Sequence, residues 1–157
     1  MYLRWLTRTA LALALTIVIQ MFGLPQLITG SLVNAMLLVA CLAAGPSCGV
    51  VIGLVTPLLA FSRGILAPPL APMIPFIMLG NAAFVALFWW LGRKWRDYLG
   101  LIIAAAAKFA VLALAVRLLT KLPPPVAQAM QWPQLATALM GGAIALTAFR
   151  LLPQLKN

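Results

Sequence analysis

Apolar residues dominate the chain in long runs, and what punctuates them is glycine, proline or a knot of basic residues. Read by run length, six apolar spans emerge over residues 9–22, 27–44, 47–65, 73–91, 99–120 and 133–152. Runs on this scale match the roughly 30 Å hydrocarbon core of a bilayer at 1.5 Å of helix rise per residue. The expectation is a single all-α integral membrane domain over residues 1–157, with six transmembrane helices. The first run follows Arg4 and Arg8 like a secretory signal, but no small-x-small cleavage site follows it and another span begins at once. It therefore counts as the first helix of the mature protein.

Within the spans, small residues recur at helical spacing. Gly45, Gly49 and Gly53 repeat every four residues and predict a ridge of bare backbone that a neighbouring helix can approach closely. Ala10 and Ala14 mark a second small-residue face, and Gly141 with Gly142 a third. Between the third and fourth spans, Pro57 precedes Ser62, Arg63 and Gly64, and the chain re-enters through Pro68, Pro69, Pro72 and Pro75. That density predicts a semi-rigid extended or turning loop at a membrane boundary. Trp89 and Trp90 close the fourth span as an interfacial aromatic belt.

Composition agrees with the pattern. The chain has 157 residues, 65% of them hydrophobic and 8% charged, with a mean hydropathy of +1.11. Its net charge of +10, from eleven Lys and Arg against one acid, does not point to nucleic acid, because the cations sit at span ends. There they set topology. With the N terminus inside, Arg4, Arg8, Arg93, Lys94, Arg96, Arg150 and Lys156 are cytoplasmic, whereas Arg63, Arg117 and Lys121 lie outside. Both termini are then cytoplasmic and the proline-bearing loops near residues 23–27, 63–72 and 121–132 face outward.

That orientation gives depths to the polar residues. Asn34, Thr56 and Asn81 fall about 10 to 13 Å from the outer ends of their helices, and Lys108 about 18 Å. Four helices thus bring polar groups to one layer, open toward the outer loops. Asn81 reads either as a helix-to-helix hydrogen bond or as a ligand contact. Lys108 is the most informative residue. An ammonium near the bilayer centre costs about 2.5 to 3.5 kcal/mol on insertion scales, and the sequence offers no acid in the membrane to pair with it. Either amides and water pack around it or it meets an anion from outside. Arg117 and Lys121, one turn apart, read as interface cations.

The chain contains no His, and its one carboxylate, Asp97, sits in the basic cluster after the fourth span. Hydrolysis and general acid–base catalysis need such groups in the membrane, so an enzyme is not expected, nor a metal or other cofactor. Proton- and sodium-coupled carriers usually hold a carboxylate in a span, again missing. Cys41 and Cys48 lack metal-ligand spacing and read as small apolar fillers. What remains is an outward-facing binder driven by another protein.

The order TALALAL in the first helix, LITGSLVNAMLLVACLAAGPSCGVVIGLVTPL across the second and third, and PPLAPMIPFIMLGN into the fourth resembles the substrate-binding S components of energy-coupling factor (ECF) vitamin transporters. The resemblance covers essentially the whole chain and is closest over residues 27–85. It implies a multi-pass protein of the bacterial cell membrane that captures a micronutrient outside and docks on a transmembrane scaffold subunit bearing two cytoplasmic ATPases. The family's alanine-x-x-x-alanine docking motif falls on Ala10 and Ala14. The loops and helices that form the family's substrate site correspond to Arg63, Asn81, Lys108, Gln128 and Trp132, with Asn34 in the same polar layer. Arg63 and Lys108, lacking acidic partners, favour a small molecule bearing a carboxylate or phosphate, such as pantothenate, biotin, lipoate or a folate. The alternative is a stand-alone oligomeric channel or carrier for small anions.

Overall fold

Each apolar run becomes a helix, because in hydrocarbon every backbone N–H and C=O must be satisfied within its own segment. The computed structural model describes residues 2–92, 97–118 and 122–151. Along them run α1 (Tyr2–Met21), α2 (Gln26–Ala44), α3 (Pro46–Ser62), a 3₁₀ segment (Pro68–Met73), α4 (Ile74–Gly92), α5 (Asp97–Leu118), α6 (Pro124–Ala129) and α7 (Trp132–Leu151). Five stretches are long and apolar enough to cross a membrane: α1, α2, Pro68–Gly92, α5 and Pro124–Leu151. The apolar α3 has 17 residues, about 25 Å of helix and the short end of what spans a bilayer.

Several boundaries differ from those the apolar runs predict. α1 begins at Tyr2, well before residue 9, because its basic first turns gain partners on the α2–α3 turn. Trp5 Nε1 donates to Ser47 Oγ at 3.1 Å, and Arg8 donates to the carbonyl of Ala43 at 2.8 Å. Of the extended and turning backbones expected for the proline loop before α4, the chain takes the turning one, as a 3₁₀ helix with Pro68 and Pro69 at its start, and Pro124 opens the short α6. Proline's fixed φ suits the first positions of a helix, where its missing N–H is not needed. The basic residues Arg93, Lys94 and Arg96, together with Lys121 and Lys156, lie outside the described residues.

Helices α2, α3, α4, α5 and α7 close a ring in that order, each packed on the next and α7 back on α2, while α1 lies outside against α2 and α3. The core is where the ring's inner faces meet. Leu37 and Leu38 of α2, Ile52 of α3, Phe84 and Val85 of α4, Ala104 and Ala105 of α5 and Ala138 of α7 are fully buried there. Helix α1 buries only Thr9 and Thr16, and both hydroxyls satisfy themselves on carbonyls four residues back. Both cysteines are buried free thiols.

The glycines set how tightly the ring closes. A Cβ on Gly49 would sit 2.6 Å from the Leu37 carbonyl oxygen, and one on Gly53 would sit 2.9 Å from Asn81 Cβ. A Cβ on Gly141 would run into the backbone of Ser31. Gly45, the first residue of the expected ridge, does something else. It stands between α2 and α3 with φ +97°, a conformation in which L side chains are strained, so it makes the tight reversal rather than a packing contact.

Candidate functional site

The three proline-bearing connections and the helix ends they join gather at one end of the ring, and beneath them opens a cavity of about 580 Å³. Its walls come from the ends of α1, α2, α3 and α7, the 3₁₀ segment, and the middles of α4 and α5. Asn34, Thr56, Asn81 and Lys108 all line it, so the polar layer inferred from helix depths converges on one hollow. All four are at least 96% buried, with relative exposures of 2%, 1%, 4% and 3%.

Two of them belong to one hydrogen-bonded chain. Lys108 Nζ donates to Asn34 Oδ1 at 2.6 Å, Asn34 Nδ2 donates to Thr137 Oγ1 at 3.3 Å, and the Thr137 hydroxyl donates to the Gln134 carbonyl at 3.1 Å. Because an ammonium only donates, it fixes the Asn34 amide oxygen toward α5 and its nitrogen toward α7. The chain therefore ties α5, α2 and α7 together through an ionised donor, the stronger class of hydrogen bond. Nζ also lies 5.5 Å from the centroid of the Phe84 ring, within range of a cation–π contact. Gly80 leaves room for the lysine stem, since a Cβ there would meet Lys108 Cγ at 3.4 Å.

Asn81 solves a different problem. Pro57 lies inside α3 and cannot donate to the carbonyl of Gly53, four residues back. Asn81 Nδ2 supplies the missing donor from α4, 3.0 Å from that oxygen. Its amide nitrogen is thus committed to the α3 backbone, and its oxygen is the atom left for the cavity.

The remaining expected site residues are not brought into the hollow. Arg63 caps the C terminus of α3 with an exposed side chain, Gln128 is exposed on α6, and Trp132 is 70% exposed with its ring 5.3 Å from that of Phe109. None of the three is in the lining. The lining instead contains Gln20, Gln26 and Gln134, which the sequence reading passed over. Each lies in the first or last turns of a span, where polar residues are commonplace, so only their convergence marks them out. Ala10 and Ala14 face outward on α1. At the opposite end of the ring, Arg150 donates to Tyr98 Oη at 2.8 Å and lies 3.5 Å from Asp97 Oδ2, so the one acid of the chain stands about 16 Å along α5 from Lys108 and is engaged elsewhere.

A ring of apolar helices around a solute-sized, partly polar cavity is the arrangement of a multi-pass membrane protein with room for a small molecule. The chain belongs to the family described as ECF transporter, substrate-specific component, which matches residues 4–153. Proteins of this family give substrate specificity to a transporter, work with a scaffold and ATPase subunits, and are not themselves enzymes. Among curated proteins and solved structures, none matches.

Proposed function

We propose that this chain captures a small anionic micronutrient at the outer face of a bacterial cell membrane, for ATP-driven uptake through a scaffold subunit and two cytoplasmic ATPases. In this reading six helices span the bilayer, α3 among them, and both termini are cytoplasmic. The observation that carries it is Lys108. Its ammonium is buried on the wall of the cavity, held by one neutral amide, in a chain with no carboxylate to neutralise it within the membrane. A carboxylate or phosphate from outside would complete the pair and accept the N–H bonds that Asn34 leaves over. Asn34 aims the ammonium, and Asn81 adds an acceptor oxygen beside it. Arg63 and Arg117, exposed at the loop end, would draw anions toward the mouth without touching the bound one. Ala10 and Ala14 would let the scaffold approach the α1 backbone.

Native mass spectrometry of the full chain purified from its membrane tests this. A retained molecule carrying a carboxylate or phosphate is expected, and its affinity should fall about 100-fold or more in Lys108→Met, as for loss of a buried charge-assisted contact. A retained cation or neutral molecule, or affinity indifferent to Lys108→Met, would sink the proposal.

A further inference from the structure

The two ends of the cavity differ in chemistry. At the deep end stands Lys108, the one ionisable side chain of the lining. At the loop end stand three carboxamides from three helices, Gln20 near the end of α1, Gln26 at the start of α2 and Gln134 in the first turn of α7. Two of them have their nitrogens turned to the protein. Gln26 Nε2 donates to the Ala129 carbonyl at 3.1 Å, and Gln134 Nε2 is directed to Met130 Sδ at 4.0 Å. An amide anchored through its N–H side leaves its oxygen as the group on offer. Gln20 adds a third acceptor, because its Oε1 is buried against the protein with no hydrogen-bond partner among the described residues, and a turn of the side chain would bring that oxygen to a donor in the cavity. Folded proteins rarely leave a buried acceptor in that state unless a ligand or water completes it.

From these contacts we infer that the loop end of the cavity reads hydrogen-bond donors, so that the substrate is a monoanion with hydroxyl or amide N–H groups at the end remote from its carboxylate. Gln20, Gln26 and Gln134 are the specificity-determining residues, each accepting through its carboxamide oxygen. The inference rests on the proposed function, since it takes Lys108 as the partner of the carboxylate. Between the two ends the wall is mostly apolar, with Val33, Pro57 and Ile77, and the hydroxyls of Thr29 and Thr56 are spent on backbone carbonyls, so it suits a hydrocarbon linker. Eight residues of α2 separate Gln26 from Asn34, about 12 Å along the helix axis, which sets the scale of the linker. A second carboxylate is disfavoured at the loop end, because it would oppose carboxamide oxygens with acceptors and find no cation in the lining there.

The test uses the full chain in lipid nanodiscs and three sets of straight-chain probes whose ends reach up to about 12 Å apart. These are ω-hydroxy monocarboxylates, their ω-methoxy ethers, which keep the oxygen but lose the donor, and the α,ω-dicarboxylates. Calorimetric titration should find a length at which the hydroxy acid binds about tenfold tighter than either counterpart, the difference one hydrogen bond makes. In Gln20→Leu that ratio should collapse toward one. Gln26→Leu, at an exposed position where folding is not at stake, should reduce it too. A ratio of one in the unaltered protein, a preference for the ether or diacid, or a hydroxyl preference that persists in both variants overturns the carboxamide inference. If Lys108→Met still abolishes binding in those cases, the anionic reading stands without it. Acid binding that survives Lys108→Met, or no binding of any probe at about 10 mM, removes both.

Discussion

Pro57 and Asn81 form one unit although 24 positions part them in the chain. The proline withholds a donor from Gly53 O and the asparagine returns it, so neither residue's cost can be read alone. Asn81→Ala should lower stability by about 1 to 3 kcal/mol by stranding a buried carbonyl. In a Pro57→Ala background, where residue 57 regains its N–H, the same change should cost about 1 kcal/mol less. Denaturant unfolding of the four proteins in micelles measures this coupling, and strict additivity would mean that the amide does not serve the carbonyl. Lys108 obeys related logic. Its single amide partner fixes the ammonium in place without neutralising it, and the proposed anionic guest would supply the missing charge.

At the scale of helices, contact between backbones decides which glycines matter. Gly141 faces the carbonyl of Ser31 and the Cβ of Asn34 across the α2–α7 interface, and backbone cannot turn aside. Gly80 faces the flexible stem of Lys108 at an ordinary contact distance. Gly141→Ala should therefore lose about 1 to 3 kcal/mol through overpacking and loosen the hydrogen-bonded chain through Asn34. Gly80→Ala should change stability by less than about 1 kcal/mol, since the gain in helix propensity offsets the tighter fit. Thermal unfolding of the two variants side by side gives the comparison, and equal losses would contradict the assigned approach of α7 to α2. Helix α1 differs from its neighbours. It is held by Thr9, Thr16 and its contacts to the α2–α3 turn, leaving the Ala10 and Ala14 side of the helix open.

For the molecule as a whole, the peripheral place of α1 gives the proposed scaffold contact a test separate from binding. Ala10→Trp combined with Ala14→Trp should reduce uptake to background in cells producing the scaffold and ATPases, while the purified variant still binds substrate. Uptake at the original rate would place the scaffold on another face. The proposed orientation predicts that a fluorescent protein fused after Asn157 fluoresces and that alkaline phosphatase fused there is inactive, because the latter folds only outside the cytoplasm. Helical character and the membrane environment were legible in the sequence, since hydrocarbon leaves the backbone no other way to satisfy its polar groups. Lys108 and Asn34 could be singled out as well, because polar groups within apolar runs are rare and costly. Between the extended and the turning alternatives for the proline segment before α4 the sequence does not decide, as nothing local distinguishes a proline that ends a helix from one that begins a short one. Arg63, Gln128 and Trp132 were chosen by loop membership, which does not tell which side of a loop faces inward. Gln20, Gln26 and Gln134 are unremarkable singly and lie 114 positions apart at the extremes. The sequence by itself determined that this chain lives in a bilayer with an uncompensated cation inside it. Which carbonyl Asn81 serves, which amide holds Lys108 and which glutamines share its cavity were decided only when five helices closed into a ring and α1 packed against it, because those are contacts between residues that no local pattern relates.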